Sequence, residues 1–240
     1  MKQQFFMDAA KTFDMKKPQE QKKEKGMEVS HYCLSERKKQ FQKGDYFTIT
    51  FSKECLYDGS KNLEKSFQKI LTSFLHKYHK KNSILFLGLG NSSILGDSFG
   101  PRVVEKLIAT NQYNDFLTIP KMALFCPETT AKTGISSFRL ISMVVSYLKP
   151  DLIVLLDSFV TNQKKYLNQS IEINDCGIVF QDQLRDNKKI DYQTFHIPVL
   201  SIGYPCLFKD QGEYYEKSTL CEDIELMSDF VARGIRNLVL

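Results

Sequence analysis

The stretch that most limits the fold is Ile84-Leu85-Phe86-Leu87-Gly88-Leu89-Gly90-Asn91, followed by Ser92-Ser93-Ile94-Leu95-Gly96-Asp97-Ser98-Phe99-Gly100-Pro101. An unbroken apolar run of strand length ends in glycines, and an amphipathic pattern starts just past Pro101, which predicts strand, loop and helix. Such a loop leaves the carboxyl end of a buried strand, where open parallel α/β sheets place their ligands. Asp97 lies inside it. A second apolar run, residues 152–156, leads straight into Asp157.

The rest of the chain follows the same alternation. Residues 46–51 are aromatic and β-branched and predict a strand at a sheet edge. Leu63, Phe67, Ile70, Leu71, Phe74, Leu75 and Tyr78 form one helical stripe behind a turn at Asp58-Gly59-Ser60. A short helix around Val103 to Ile108, a strand-like segment over 116–125 broken by Pro120, and a helix over 135–148 come next. Strands over 170–174 and 197–203 precede a closing helix over 220–238. Strands alternating with helices predict an α/β fold, a three-layer αβα arrangement with a mostly parallel sheet.

With 240 residues, 42% of them hydrophobic, the chain can bury a full core. Charge divides it. The first 53 residues hold 12 Lys and Arg against 7 Asp and Glu, and the remainder is neutral. Acids interrupt the basic run and no aromatic residue is interleaved with it, so it reads as a solvated, partly disordered leader or propeptide over 1–43, not as a nucleic-acid arm. A single α/β domain is expected over 44–240. No apolar run reaches membrane-span length, and the N-terminus turns polar too soon for a signal peptide. Six cysteines are scattered without a C-x-x-C pair, so a reduced, cytoplasmic protein without a structural zinc is expected. His76 and His79 lie three apart on a helix, but Lys77, Lys80 and Lys81 mark that end as solvated.

Asp97 and Asp157 carry the chemistry. Each follows a buried strand, and right-handed crossovers put both loops at one edge of the sheet. Two carboxylates at short range do not both ionise cheaply, so one keeps its proton; the pair then offers a general base for water and a general acid for a leaving group. The same pair can grip a divalent cation, and each Asp alone can be a helix or turn cap. A phosphate cradle at Gly88-x-Gly90 lacks the third glycine of a dinucleotide fingerprint, Ser93 standing there.

These residues resemble a known family. Gly88-Leu89-Gly90-Asn91 through Gly96-Asp97-Ser98-Phe99-Gly100-Pro101 is similar to the G-L-G-N…P-D-A-L-G-P segment of the spore germination proteases. Thr133-Gly134-Ile135 resembles T-G-[IM]-E-T, and Lys149-Pro150-Asp151-Leu152-Ile153 with Asp157 resembles K-P-D-L-[IV]…I-D-A. Ile173-Asn174-Asp175-Cys176-Gly177-Ile178 resembles I-x-D-T-G-I, and Ile197-Pro198-Val199 with Gly203-Tyr204-Pro205 resembles I-P-V-I-A-I-G-V-P. The order is kept over residues 84–208. Departures are Gly96, Ser136, Cys176 and the bulky segment 179–187, which replaces a glycine-rich loop.

The resemblance implies an endopeptidase that begins degradation of small acid-soluble spore proteins at germination. It also implies a zymogen with a removable N-terminal propeptide, a homotetramer inside the spore or forespore, and a fold shared with hydrogenase-maturation endopeptidases. The family's two catalytic aspartates fall on Asp97 and Asp157. Gly88, Gly90, Asn91, Thr133, Gly134 and Asp175 are the expected cleft residues. No cofactor is expected, with a divalent metal held by Asp97 and Asp157 as the alternative; a metal-dependent maturation peptidase and an inactive sporulation protein of the same fold are the rival functions.

Overall fold

A computed structural model describes residues 3–10, 18–24, 26–38, 41–78, 83–112, 119–181, 187–210, 213–215 and 219–239. In chain order its strands are β1 (Glu20–Glu24), β2 (Met27–Leu34), β3 (Gly44–Phe51), β4 (Ser83–Gly88), β5 (Lys121–Phe125), β6 (Leu152–Thr161), β7 (Ser170–Asn174), β8 (Ile178–Gln181), β9 (Asn187–Ile190), β10 (Val199–Asp210) and β11 (Glu213–Tyr215). The helices are α1 (Phe6–Ala10), α2 (Lys53–Tyr57), α3 (Lys61–Lys77), α4 (Phe99–Glu105), α5 (Thr130–Thr133), α6 (Ser137–Leu148), α7 (Tyr192–Phe195) and α8 (Leu220–Val239).

The main sheet runs β1-β2-β3-β7-β10-β6-β4-β5, with β11 on β10, and β8 and β9 form a separate hairpin. β10, β6, β4 and β5 are mutually parallel; β7, β3, β2 and β1 pair antiparallel in turn. β1, β3, β4, β5, β6 and β10 therefore point one way, and the sheet is mostly parallel in direction as expected.

Both faces are covered, which is why every residue of β6 is buried. On one face the stripes of α3 (Leu63, Phe67, Phe74), α4 (Phe99, Val103) and α8 (Ile224, Met227, Val231) close over Ile84, Phe86, Val154, Leu156 and Ile202. On the other, Ile141 and Val145 of α6 cover Leu85, Leu87, Ile153 and Leu155. Ser60 starts α3 by accepting the Leu63 N–H at 3.4 Å. Among the described residues no helix is long and apolar enough to cross a membrane.

The described residues of the expected leader, 1–43, pack into the fold. Phe5 and Phe6 are fully buried, and β2 pairs with β3 along eight residues, so the sheet runs through the expected boundary at 43/44 without a break. Phe6 stacks on Tyr46 with ring centroids 4.2 Å apart and meets Phe41 edge-on at 5.2 Å. The expected edge strand over 46–51 is accordingly interior, lying between β2 and β7. The segment after Gly177, expected as a loop, is the β8–β9 hairpin over its described part, with 182–186 outside the described residues.

Candidate functional site

β4 ends opposite Leu156, where Leu89 donates its N–H to the Leu156 carbonyl at 2.8 Å. β6 does not end there. It continues to Thr161, so Asp157 is a mid-strand residue and not, as the sequence suggests, a terminal one. Asp157 is the first residue of β6 past the end of β4, at the sheet's carboxyl edge. The side chain is 9% exposed, and its Oδ1 accepts the Ser158 N–H at 2.8 Å.

The connection from β4 to α4 carries Asp97 at the same edge of the sheet. Ser93 donates its N–H to Asn91 Oδ1 at 2.9 Å, Ile94 donates to the Asn91 carbonyl at 3.0 Å, and Asp97 donates to the Ile94 carbonyl at 2.9 Å, closing a single 3-10 turn over Leu95–Asp97. Gly90 has φ +123°, and a Cβ there would lie 2.0 Å from the Asp97 carbonyl oxygen and 2.5 Å from Oδ1. Only glycine allows this approach. Asp97 Oδ1 is shut off from solvent. Past Asp97, α4 sits on β6: a Cβ at Gly100 would lie 2.1 Å from the Leu156 carbonyl oxygen, and the Phe99 N–H points at Ser158 Oγ at 3.4 Å. Two residues before Phe99 and one before Ser158, the two acids thus lie on segments in direct contact.

Of the other expected cleft residues, Gly88, Gly90 and Asn91 belong to this connection. Thr133 and Gly134 follow β5, whose carboxyl end is on the same edge. Gly134 ends α5 in the left-handed region at φ +71°, and Thr133 Oγ1 donates to the Ile135 carbonyl at 3.0 Å.

Asp175 is not brought to this edge. β7 runs antiparallel to β10, so its end lies at the amino edge of the parallel strands. There Asp175 accepts from Lys77 at 2.6 Å, from the Tyr78 hydroxyl at 3.2 Å and from the Asp45 N–H at 2.8 Å. Lys77 bridges to Asp45 at 3.2 Å, and the His31 ring meets Asp45 at 3.0 Å. This is an ion cluster that fastens α3 to β3 and β7. His79 of the His76/His79 pair lies outside the described residues. Among the described residues no three His, Cys, Asp or Glu side chains converge as a metal ligand set.

A carboxyl that the sequence hides is Glu172. The alternation Ser170-Ile171-Glu172-Ile173-Asn174 reads as a half-exposed strand with its acid in water, yet Glu172 is fully buried. Strand register aligns Thr48, Glu172, Gly203 and Asp157 in one row across the sheet, so Glu172 and Asp157 leave the same face with Gly203 between them. Glu172 accepts the Phe6 N–H at 2.7 Å and the Asn174 amide at 3.1 Å. Burial pushes its pKa up to about 8, against the lowering by those two donors, and Asp8 adds to the rise. Asp8 is itself buried, which raises it against the bonds from Asn162, Thr161 and Gln163.

The N-terminal segment pairs with β6 farther along, past Asp157. Val160 donates to the Gln3 carbonyl and accepts the Phe5 N–H, both at 2.9 Å, and Gln4 bridges to Val160 in parallel sense. Backbone groups of Leu156 and Val160 face the same side of β6, two residues being the period of a strand. Residues 3–5 therefore occupy the strand position that β4 vacates at Gly88.

The chain matches the family model described as germination protease over residues 3–212. It is 29% identical to the germination protease of Clostridium acetobutylicum over 68% of this chain and 54% of that protein, and 30% identical to that of a Geobacillus species over 75% and 52%. The germination protease of Priestia megaterium is 28% identical over 77% and 54%. The chain thus spans about half the length of the curated relatives it matches. Among solved structures it is similar to a [NiFe] hydrogenase maturation protease, HycI, from Thermococcus kodakarensis KOD1, at 16% identity and a TM-score of 0.41, over 67% of this chain and 96% of that one. The family model accounts for residues 3–212, most of the sequence: the chain belongs to the germination protease family.

Proposed function

We propose that the chain is an endopeptidase of the germination protease type, with Asp97 and Asp157 acting together on the scissile peptide. One carboxylate takes a proton from water as it attacks the peptide carbonyl; the other carboxyl, protonated, gives its proton to the leaving amine. What supports this reading is the contact of the two segments that carry the acids, with Gly100 against Leu156 and Phe99 against Ser158. Small acid-soluble spore proteins are the proposed substrate, and a homotetramer in the spore interior the proposed form. Residues 3–10, which pair with β6 at Val160 and cover Glu172, fit the proposed role of a removable prosegment.

A divalent cation takes oxygen ligands of the kind Asp97 and Asp157 offer, and its chemistry when bound would be to polarise the carbonyl and the attacking water. Among the described residues the two carboxylates are the side-chain donors, which falls short of the three protein ligands of a catalytic zinc site. The pair is read as proton-transfer groups.

The test is incubation of the purified full chain with a small acid-soluble spore protein, beside Asp97→Asn and Asp157→Asn. Each substitution is expected to reduce cleavage by roughly 10²- to 10⁴-fold, with chelator leaving the unsubstituted chain active. Cleavage that survives both substitutions rejects the assignment, and cleavage abolished by chelator and restored by metal replaces it with the metal-dependent reading.

A further inference from the structure

Glu128, just past the carboxyl end of β5, has φ +57°, a left-handed backbone conformation that a residue with a Cβ adopts at a cost. Its carbonyl accepts the Ser137 hydroxyl at 2.7 Å, which fixes it to the first turn of α6. Its carboxylate reaches back across the edge of the sheet. Oε1 accepts the Ser92 hydroxyl at 2.7 Å and Oε2 the Ser92 N–H at 3.3 Å. Lys132, one turn on in α5, sits 3.2 Å from the same carboxylate and donates to Ser92 Oγ at 3.0 Å and Ser93 Oγ at 3.2 Å. Burial raises the Glu128 carboxyl, but the bonds from Ser92 and Lys132 outweigh it and hold it below its ordinary value.

We propose that Glu128 is a positioning residue for Asp97, holding the β4–α4 connection in register with Asp157 through Ser92, with Lys132 as the second point of the clamp. This rests on the reading of Asp97 as a catalytic acid. The path is continuous. Ser92 and Ser93 adjoin Asn91, whose side chain and carbonyl start the turn that ends at Asp97, and Gly90 lies against Asp97 itself. Without the clamp, residues 91–94 are a surface loop with Ser92, Ser93 and Ile94 exposed, the kind of segment that opens at little free-energy cost. Glycine at 128 would take φ +57° without strain. A carboxylate held there in spite of the backbone cost points to its bonds with Ser92. Loss of the clamp leaves Asp97 chemically intact and misplaced, and misplacement on the order of 1 Å costs about 10²-fold in rate.

The experiment compares the full chain with Glu128→Gly, Glu128→Gln and, as the control for the underlying reading, Asp97→Asn. Glu128→Gly removes the clamp and the backbone strain together, so Tm is expected to stay level or rise while kcat on a small acid-soluble spore protein falls roughly 10- to 100-fold at nearly constant KM. Glu128→Gln keeps an acceptor for Ser92 and is expected to restore most of that loss. Hydrogen exchange at Ser92, Ser93, Ile94 and Asp97 is expected to quicken in Glu128→Gly and to recover in Glu128→Gln, a readout that does not depend on turnover. Unchanged exchange in this stretch, or unchanged kcat in Glu128→Gly when Asp97→Asn has lost activity, overturns the proposal. A fall in kcat that only follows a fall in Tm does so too. Full activity of Asp97→Asn instead overturns the reading beneath it.

Discussion

The two halves of the sheet do different work. The parallel half, β10-β6-β4-β5, is apolar on both faces and delivers its loops to one edge, where Asp97 and Asp157 lie. The antiparallel half, β1-β2-β3-β7, is closed on one face by the N-terminal segment and carries a buried carboxyl inside, in Glu172. One half places its acids at the carboxyl edge, and the other shuts an acid beneath its own N-terminus. The row of Thr48, Glu172, Gly203 and Asp157 joins them, and the segment that covers Glu172 also pairs with β6 at Val160.

If the N-terminal segment belongs to the same cooperative unit as the parallel half, Phe6→Ala has the largest effect on stability. A fully buried ring in an aromatic cluster is lost, at about 3–5 kcal/mol, and urea unfolding of the whole chain should shift accordingly. An unchanged midpoint would separate the N-terminal segment from that unit.

The buried acid gives a pH signature that belongs to the antiparallel half. Glu172 has an ordinary value of 4.5 and is raised to about 8 in the fold, so the folded chain keeps a proton that the unfolded chain releases. Its stability contribution is complete below about pH 4.5 and is lost as pH rises through 8, a total of a few kcal/mol. Glu172→Gln should remove that slope, read from urea midpoints between pH 5 and 9 as roughly flat where the unsubstituted chain declines. The same slope in both proteins would place the titrating group elsewhere. The smallest effect tests a helix that packs on the apolar face shared by both halves: Ser60→Ala, losing the cap on Leu63 N–H, should cost about 1 kcal/mol at every pH. A pH-dependent cost there would break the assignment of the slope to Glu172.

The halves also differ in how much of them can be read from residues alone. The apolar run over 84–89 and the stripe of Leu63, Phe67, Ile70 and Phe74 are long, periodic patterns, and both form the elements they predict. Asp97 and Asp157 follow such runs, so their shared edge follows from crossover handedness. The N-terminal segment offers no period: Phe5, Phe6, Ala9 and Ala10 are few, α1 is five residues long, and β1 is a polar, largely exposed strand. What orders them is a distant partner, Tyr46 stacked on Phe6 and Val160 bonded to Phe5, which no local window contains. Glu172 is hidden for the same reason, since its strand alternates like one with a wet face and the cover comes from over 160 residues away. Asp175 lies at the opposite edge from Asp97 and Asp157 because β7 runs against its neighbours, and direction is not written in a five-residue strand.

The claim that Asp97 and Asp157 form one catalytic unit is tested most directly by a double substitution. Single-turnover cleavage of a small acid-soluble spore protein would be measured for the full chain, Asp97→Asn, Asp157→Asn and the double variant, all confirmed as folded. Two groups serving one step are non-additive: each single substitution should cost roughly 10²- to 10⁴-fold, and the double variant should be no slower than the worse single. Losses that multiply, or cleavage that persists without either acid, would contradict a joint site.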